Sequence, residues 1–185
     1  GKSKAHITIK IINKKSGLDE SLLKEIIEPL EPHLINSGHL KSDRNWNNPT
    51  VLVLEEYKTV GLTGTVCDSF AKGEHERWAN FWFGEGKKSK RGQAIGRQGQ
   101  GKITYHIVSG ARTVIAVTRR ENDANDYLFA KCIVSETHEV NGERYTQHGY
   151  WPKVMREQPI PEDDQSKIKK IKDGFCLERK DESGT

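Results

Sequence analysis

The residues with the clearest chemical potential are Gly96, Gly99, Gly101 and Lys102, in the run Gly96-Arg97-Gln98-Gly99-Gln100-Gly101-Lys102. Glycines at this spacing let the backbone come close to an anion, because no Cβ stands in the way. The run passes into Ile103-Thr104-Tyr105-His106-Ile107-Val108-Ser109, which reads as the start of a helix. A helix N-terminus offers unpaired N–H groups and partial positive charge, and both suit phosphate. Lys102, at the junction, adds a full charge. Together these residues predict a loop that wraps the phosphates of a nucleotide.

Gly96-x-x-x-x-Gly101-Lys102 also matches most of the phosphate-loop pattern G-x-x-x-x-G-K-[ST], but Ile103 stands where that pattern holds a magnesium-binding Ser or Thr. That pattern follows a buried strand, and the segment from Gly86 to Ile95 is too basic and polar for one. The plain alternative is a flexible, basic, glycine-rich surface loop. A second constellation lies upstream. Val51-Leu52-Val53-Leu54 reads as a fully buried strand and leads into Glu55-Glu56, then Gly61-Leu62-Thr63-Gly64. An acidic pair at a strand exit, followed by a glycine turn, is where ligands dock in layered α/β folds. Glu55 is expected to be a strand end reaching solvent, which leaves Glu56 as the candidate ligand residue.

The elements that must position these residues belong to one ordinary domain of 185 residues. With 34% hydrophobic and 30% charged residues, the core is modest and the loops are long and polar. A net charge of +4 permits contact with nucleic acid without requiring it. No apolar run approaches a membrane span, and no signal peptide is visible at Gly1-Lys2-Ser3-Lys4. Cys67, Cys132 and Cys176 are odd in number and far apart, which argues against a disulfide framework or a zinc spacing. Free, buried thiols in a reducing cytoplasm are expected.

Ala5 to Ile11 alternates apolar and polar residues, as a half-buried strand does. Asn13 to Gly17 reads as a turn, and Asp19 as the cap of a helix from Glu20 to Glu28 that Pro29 and Pro32 end. His33 to Pro49 reads as irregular, with His33 and His39 as surface or capping residues. Trp78, Phe81, Trp82 and Phe83 read as aromatic packing on the sheet. Thr113–Arg119 and Tyr127–Val134 form a predicted antiparallel hairpin. Asn141-Gly142 marks a tight turn. Pro159 to Asp164 reads as a surface loop, Ser166 to Ile171 as a short helix, and Phe175 to Arg179 as a last strand.

This order of parts resembles the Bergerat ATP-binding fold of the GHKL superfamily, which holds gyrase B, the heat-shock chaperone ATPase, histidine kinases and MutL. It is most similar to bacterial histidine-kinase-like ATP-binding proteins with a Gly-Leu-Thr-Gly turn, here Gly61-Leu62-Thr63-Gly64. The resemblance implies an α+β fold: a two-layer sandwich with a mixed, mostly antiparallel sheet and helices on one face. It covers residues 1–185 as a single domain, with 84–102 as lid and phosphate loop. By position it implies that Glu56 accepts from the adenine amino group and that Gly61 is the second glycine of the motif. Gly96, Gly99 and Gly101 then hold the β- and γ-phosphates, Lys102 is a further phosphate ligand, and Thr185 supports the adenine site. ATP and Mg²⁺ are the implied cofactors.

The chain departs from the family pattern at three places. Glu56 replaces an Asp, and Lys58 replaces a glycine that lets adenine approach. The family's first helix, with a catalytic Glu and a magnesium-binding Asn one turn later, is not found. Glu31 and Asn36 are five apart with Pro32 between them and do not substitute. The expectation is therefore a partial domain that lacks its first helix and has its last strand cut at Thr185. The expected function is ATP binding, with lid closure coupled to homodimerisation or to partner domains, and with weak or no hydrolysis by this chain alone. Two alternatives stand beside it. One is nucleic-acid binding through the basic 84–97 segment, with Lys87, Lys88, Lys90 and Arg91 meeting phosphates. The other is a degenerate nucleotide pocket that serves as a scaffold.

Overall fold

Strand β1, His6–Ile12, pairs antiparallel with β2, Val51–Tyr57, so that Ile9 faces Leu54 and Ile7 faces Glu56. These coordinates are a computed structural model that describes residues 4–41, 46–84, 100–155, 157–178 and 182–185. Between the two strands, the Asp19 carboxylate accepts from the backbone N–H groups of Ser21 and Leu22 and starts α1, Glu20–Ile27. Its buried residues are Leu22, Ile26 and Ile27, the apolar row expected of an amphipathic helix. Helix α1 ends at Ile27, close to the expected Glu28, but Pro29 and Pro32 do not stop the helical path. Each instead sits in the first turn of the next segment, a 3₁₀ turn at Glu28–Leu30 and then α2, Glu31–Asn36. A first turn has no use for the missing proline N–H. Glu31 and Asn36 therefore share one helix, yet five residues still set them roughly 140° apart around it.

Helix α3 is Arg77–Trp82 and α4 is Gln100–Val108. The expected hairpin is β3, Thr113–Arg119, with β4, Asp126–Ile133. Strands β5, His138–Val140, and β6, Glu143–Tyr145, close around Asn141 and Gly142, whose φ angles of 53° and 82° suit a tight hairpin turn. Strand β7, His148–Trp151, extends the sheet on the far side of β4. A small hairpin of β8, Lys153–Met155, and β9, Gln158–Ile160, leads to α5, Gln165–Gly174, capped by Asp164.

Both faces of β3 and β4 are apolar, and this decides the layering. Ile115, Val117, Leu128 and Cys132 pack with α1, α2 and α5 in the main core, together with Ile12 and Val53. Val114, Ala116 and Phe129 alternate with them on the other face and pack under Trp78 and Trp82 of α3. The expected aromatic packing of α3 on the sheet is thus present. The class is α+β with antiparallel sheets. The expected placement of helices on one face only is corrected, because a sheet apolar on both faces needs cover on both. The C-terminal residues join the two sheets: Gly184 bridges Arg119 of β3, and the Thr185 carbonyl accepts from Glu56 N–H of β2 at 2.8 Å.

Three further expectations change. Val51 to Leu54 is not fully buried, since it alternates and leaves Leu52 and Leu54 exposed. The Pro159–Asp164 loop holds β9 and a buried Glu162 that exchanges backbone hydrogen bonds with Leu128 at 2.9 Å in both directions. Phe175 to Arg179 is not a strand over its described residues: Phe175 N–H donates to Ile171, and Leu177 N–H to Lys172, closing the end of α5. Among the described residues no helix is long and apolar enough to cross a membrane.

Candidate site where the glycine turn meets the C-terminal residues

Two of the predicted site residues, Gly61 and Thr185, meet at Thr118, and Glu56 is tied to Thr185 through its backbone N–H. Thr118 is 1% exposed at the C-terminal end of β3. Its hydroxyl oxygen lies 2.9 Å from the Leu62 N–H, 3.0 Å from the Gly184 carbonyl and 3.1 Å from the Thr185 hydroxyl. A hydroxyl has one proton and two lone pairs. Donation to Gly184 and acceptance from Leu62 and Thr185 use all three, so the group is saturated. The glycine turn, the C-terminal residues and β3 are held at a single oxygen atom.

Gly61 has φ of 69°, and a Cβ there would lie 2.5 Å from the Arg119 carbonyl oxygen and 3.0 Å from the Thr118 hydroxyl. Only glycine tolerates both the left-handed backbone and the close approach. The rest of the turn is pinned on each side. Thr63 carbonyl accepts from Trp78 N–H at 2.9 Å, and Thr65 N–H donates to Glu76 Oε2 at 2.7 Å. Arg120 Nη1 donates to the Gly64 carbonyl at 2.7 Å. Arg120 is itself held by the Asp123 carboxylate and lies 4.5 Å from the Tyr127 ring centre. Thr118, Glu76 and Arg120 were missed by sequence reasoning. Thr118 alone left a signal, as a polar residue following the apolar run Val114 to Val117.

The two glutamates of the strand exit separate. Glu55 does not reach solvent as expected. It is 3% exposed on the inner face, with Lys10 Nζ at 2.7 Å and the Glu178 N–H at 2.9 Å. Burial pushes the Glu55 carboxyl up, but the Lys10 ammonium and the Glu178 N–H outweigh it and hold it below the usual carboxylate range. Glu56 points the other way and is exposed, on the face shared with Ile7 and Leu54. Two residues on, Lys58 has φ of 61°, the left-handed conformation a glycine would take without strain.

Beside the turn lies an open cleft of about 550 Å³ lined by Val60, Thr63, Gly64, His75, Arg77, Glu121 and Asn122. Its volume is in the range of small-molecule sites. Glu56 and Thr185 do not line it. Gly101 and Lys102 are not loop residues as expected but lie in the first turn of α4, which begins at Gln100. The chain reverses after α4, with Arg112 N–H donating to Ser109 at 3.0 Å, so α4 runs back over the sheet. Ile103 lines a small pocket there together with Phe81 and Trp82. Gly96, Gly99 and the basic segment from 85 to 97 lie outside the described residues.

Among the described residues no group of three or more His, Cys, Asp or Glu side chains could hold a metal ion. His33 and His39 are not simple surface or capping residues. His33 Nδ1 lies 2.9 Å from His138 Nε2, and His39 faces Arg112 Nε at 3.1 Å and the Ser135 N–H at 2.8 Å. Cys132 is buried as expected, whereas Cys67 is exposed and Cys176 half-buried; all three are free. No family model, no curated protein and no solved structure matches the chain.

Proposed function

We propose that this chain is a nucleotide-binding module of the Bergerat type, with ATP as its ligand and the base held at the Glu56 end of β2. The observation that carries this reading is that Gly61 and Thr185 meet at the buried Thr118 hydroxyl while the Glu56 N–H donates to the Thr185 carbonyl. These residues come from three distant parts of the sequence. Their identities at those positions follow the GHKL resemblance, and their adjacency follows the fold.

The chemistry fits a flat, amino-bearing base. Glu56 offers an exposed carboxylate that accepts from an exocyclic amino group. Leu54 and Ile7 on the same face offer apolar contact to a ring. Lys58 and Gly61 take left-handed backbone conformations within the connection that follows β2. Gly101 and Lys102 lie in the N-terminal turn of α4, and helix-end N–H groups suit phosphate. Mg²⁺ would neutralise phosphate charge when bound with the nucleotide.

Isothermal calorimetry with Mg-ATP tests the proposal. Binding is expected for the wild-type chain, weakened at least about tenfold by Glu56→Ala, the loss of one hydrogen bond to a charged group. GTP, which offers a carbonyl at the corresponding position, is expected to bind less well. Equal affinity of the Glu56→Ala chain for ATP would remove the proposal, as would salt-sensitive DNA binding in a chain that takes no ATP.

A further inference from the structure

The open cleft of about 550 Å³ beside the glycine turn carries opposite charges on its two walls. Its floor is the turn itself, from Val60 to Gly64. His75 and Arg77 line one wall, and Glu121 and Asn122 line the other. Hydrogen bonds tie both walls to the floor. On the first side, Trp78 N–H donates to the Thr63 carbonyl at 2.9 Å and Arg77 Nη1 donates to the Thr63 hydroxyl at 3.0 Å. On the second, Glu121 N–H donates to the Val60 carbonyl at 3.2 Å. Ala124 N–H donates to the Arg120 carbonyl at 3.0 Å and closes the turn that carries Asn122. The cleft is thus formed before a ligand arrives, which keeps the ordering cost of binding low.

The two charges in the cleft do not neutralise each other. Arg77 and Glu121 form no ion pair, with each other or with any other described residue. Thr63 takes one of the five N–H donors of the guanidinium and fixes its position, which leaves a fork that matches a carboxylate. Glu121 offers an acceptor-only carboxylate, which matches an ammonium.

We propose that this cleft binds a dipeptide-sized zwitterion, with its carboxylate at Arg77 and its ammonium at Glu121. The span sets the size. The cleft is about 8 Å across, taken as the cube root of its volume, and an extended two-residue chain spans about 7 Å, whereas a single amino acid spans about half of that. His75 and Asn122 offer donors and acceptors between the two ends, where the peptide group of such a ligand lies. A simple anion would meet the Glu121 charge, and a simple cation would meet Arg77. Glu56 and Thr185 do not line this cleft, so the inference holds whether or not the chain takes a nucleotide.

An NMR titration of the full chain with alanyl-alanine tests it. Saturable shifts are expected at the amides of Thr63, Gly64, His75 and Asn122, with half-saturation in the millimolar range or below. The N-acetylated dipeptide lacks the ammonium and the dipeptide amide lacks the carboxylate. Each should bind at least about tenfold more weakly, the loss of one hydrogen bond to a charged group. Glu121→Gln should erase the difference between the free and acetylated forms, and Arg77→Gln the difference between the free and amidated forms. Both positions are exposed, so each variant should keep its Tm within about 2 °C. The absence of saturable shifts at these amides, equal binding of the free and blocked forms, or discrimination that survives both substitutions would overturn the proposal. Inorganic phosphate that shifts the same amides at concentrations as low as the dipeptide would show a plain anion site and would overturn it too.

Discussion

Replacing Gly61 by alanine isolates the physical basis of the candidate site. The residue has φ of 69°, and the new Cβ would meet the Arg119 carbonyl oxygen at 2.5 Å and its carbon at 3.2 Å. These are backbone atoms of β3, so no side chain can swing away. The left-handed backbone alone costs about 1–2 kcal/mol for a residue with a Cβ. Relief of the contact requires shifting the turn or β3, which adds about 1–3 kcal/mol. The sum, about 2–5 kcal/mol, lowers Tm by roughly 5–15 °C in a chain of this size. Gly142→Ala is the matched control, since Gly142 has φ of 82° and nothing within 4 Å of its Cβ position. It carries the backbone cost only. Urea unfolding of both variants, with wild type as reference, gives the contact cost by difference. Gly61→Ala should also speed amide exchange at Leu62, whose N–H bonds Thr118. Equal destabilisation by the two alanines would refute the close-approach reasoning.

Other consequences can be measured on the same chain. Lys58→Gly should stabilise by about 1 kcal/mol in urea unfolding, because φ of 61° is strained for lysine and free for glycine. Glu162 is buried, which would raise its pKa, but Lys167, the Asp164 N–H and Lys153 hold it down to about 2. Its contribution is present above the unfolded carboxylate range near pH 4.5 and is lost as pH falls toward 2. The partly exposed lysines screen it, so Glu162→Gln should cost about 2 kcal/mol at pH 7 and little at pH 2.5. His33 titrates below the usual histidine range because burial and the neighbouring His138 disfavour its charge. The unfolded chain therefore takes the proton first, and stability falls as pH drops below about 6.5. His33→Gln should flatten that slope in a pH series of unfolding curves.

The elements that were legible in the sequence were those with local signals. Asp19 caps α1 as its position suggested, and Asn141-Gly142 makes the expected turn. The aromatic run at Trp78 to Phe83 packs on the sheet because its area has nowhere else to go. The misread elements depended on what lay opposite them. Pro32 looked like a stop until the preceding 3₁₀ turn made it a first-turn residue. Val51 to Leu54 looked fully buried because composition cannot say that alternate residues face outward. Within the site, Glu56, Gly61 and Thr185 were readable as types, but Thr118 became visible only when β3 met the C-terminal residues.

The inner face of the β1–β2 hairpin explains why its outer face stays apolar. Slipping the pairing by one residue would exchange the two faces and bury isoleucines instead of Lys10. On burial area alone that register should win. Against it, Glu55 accepts from Lys10 Nζ at 2.7 Å and from the Glu178 N–H at 2.9 Å, and Lys10 also meets Glu178 at 3.0 Å. A slip in β1 would leave the buried Glu55 carboxylate without its cation, a cost of about 3–5 kcal/mol. A slip in β2 would pull Glu56 away from the Thr185 carbonyl and detach the hairpin from β3. The ion pair is thus a register lock, and its effect is to keep Ile7, Ile9 and Ile11 together with Glu56 on the outer face.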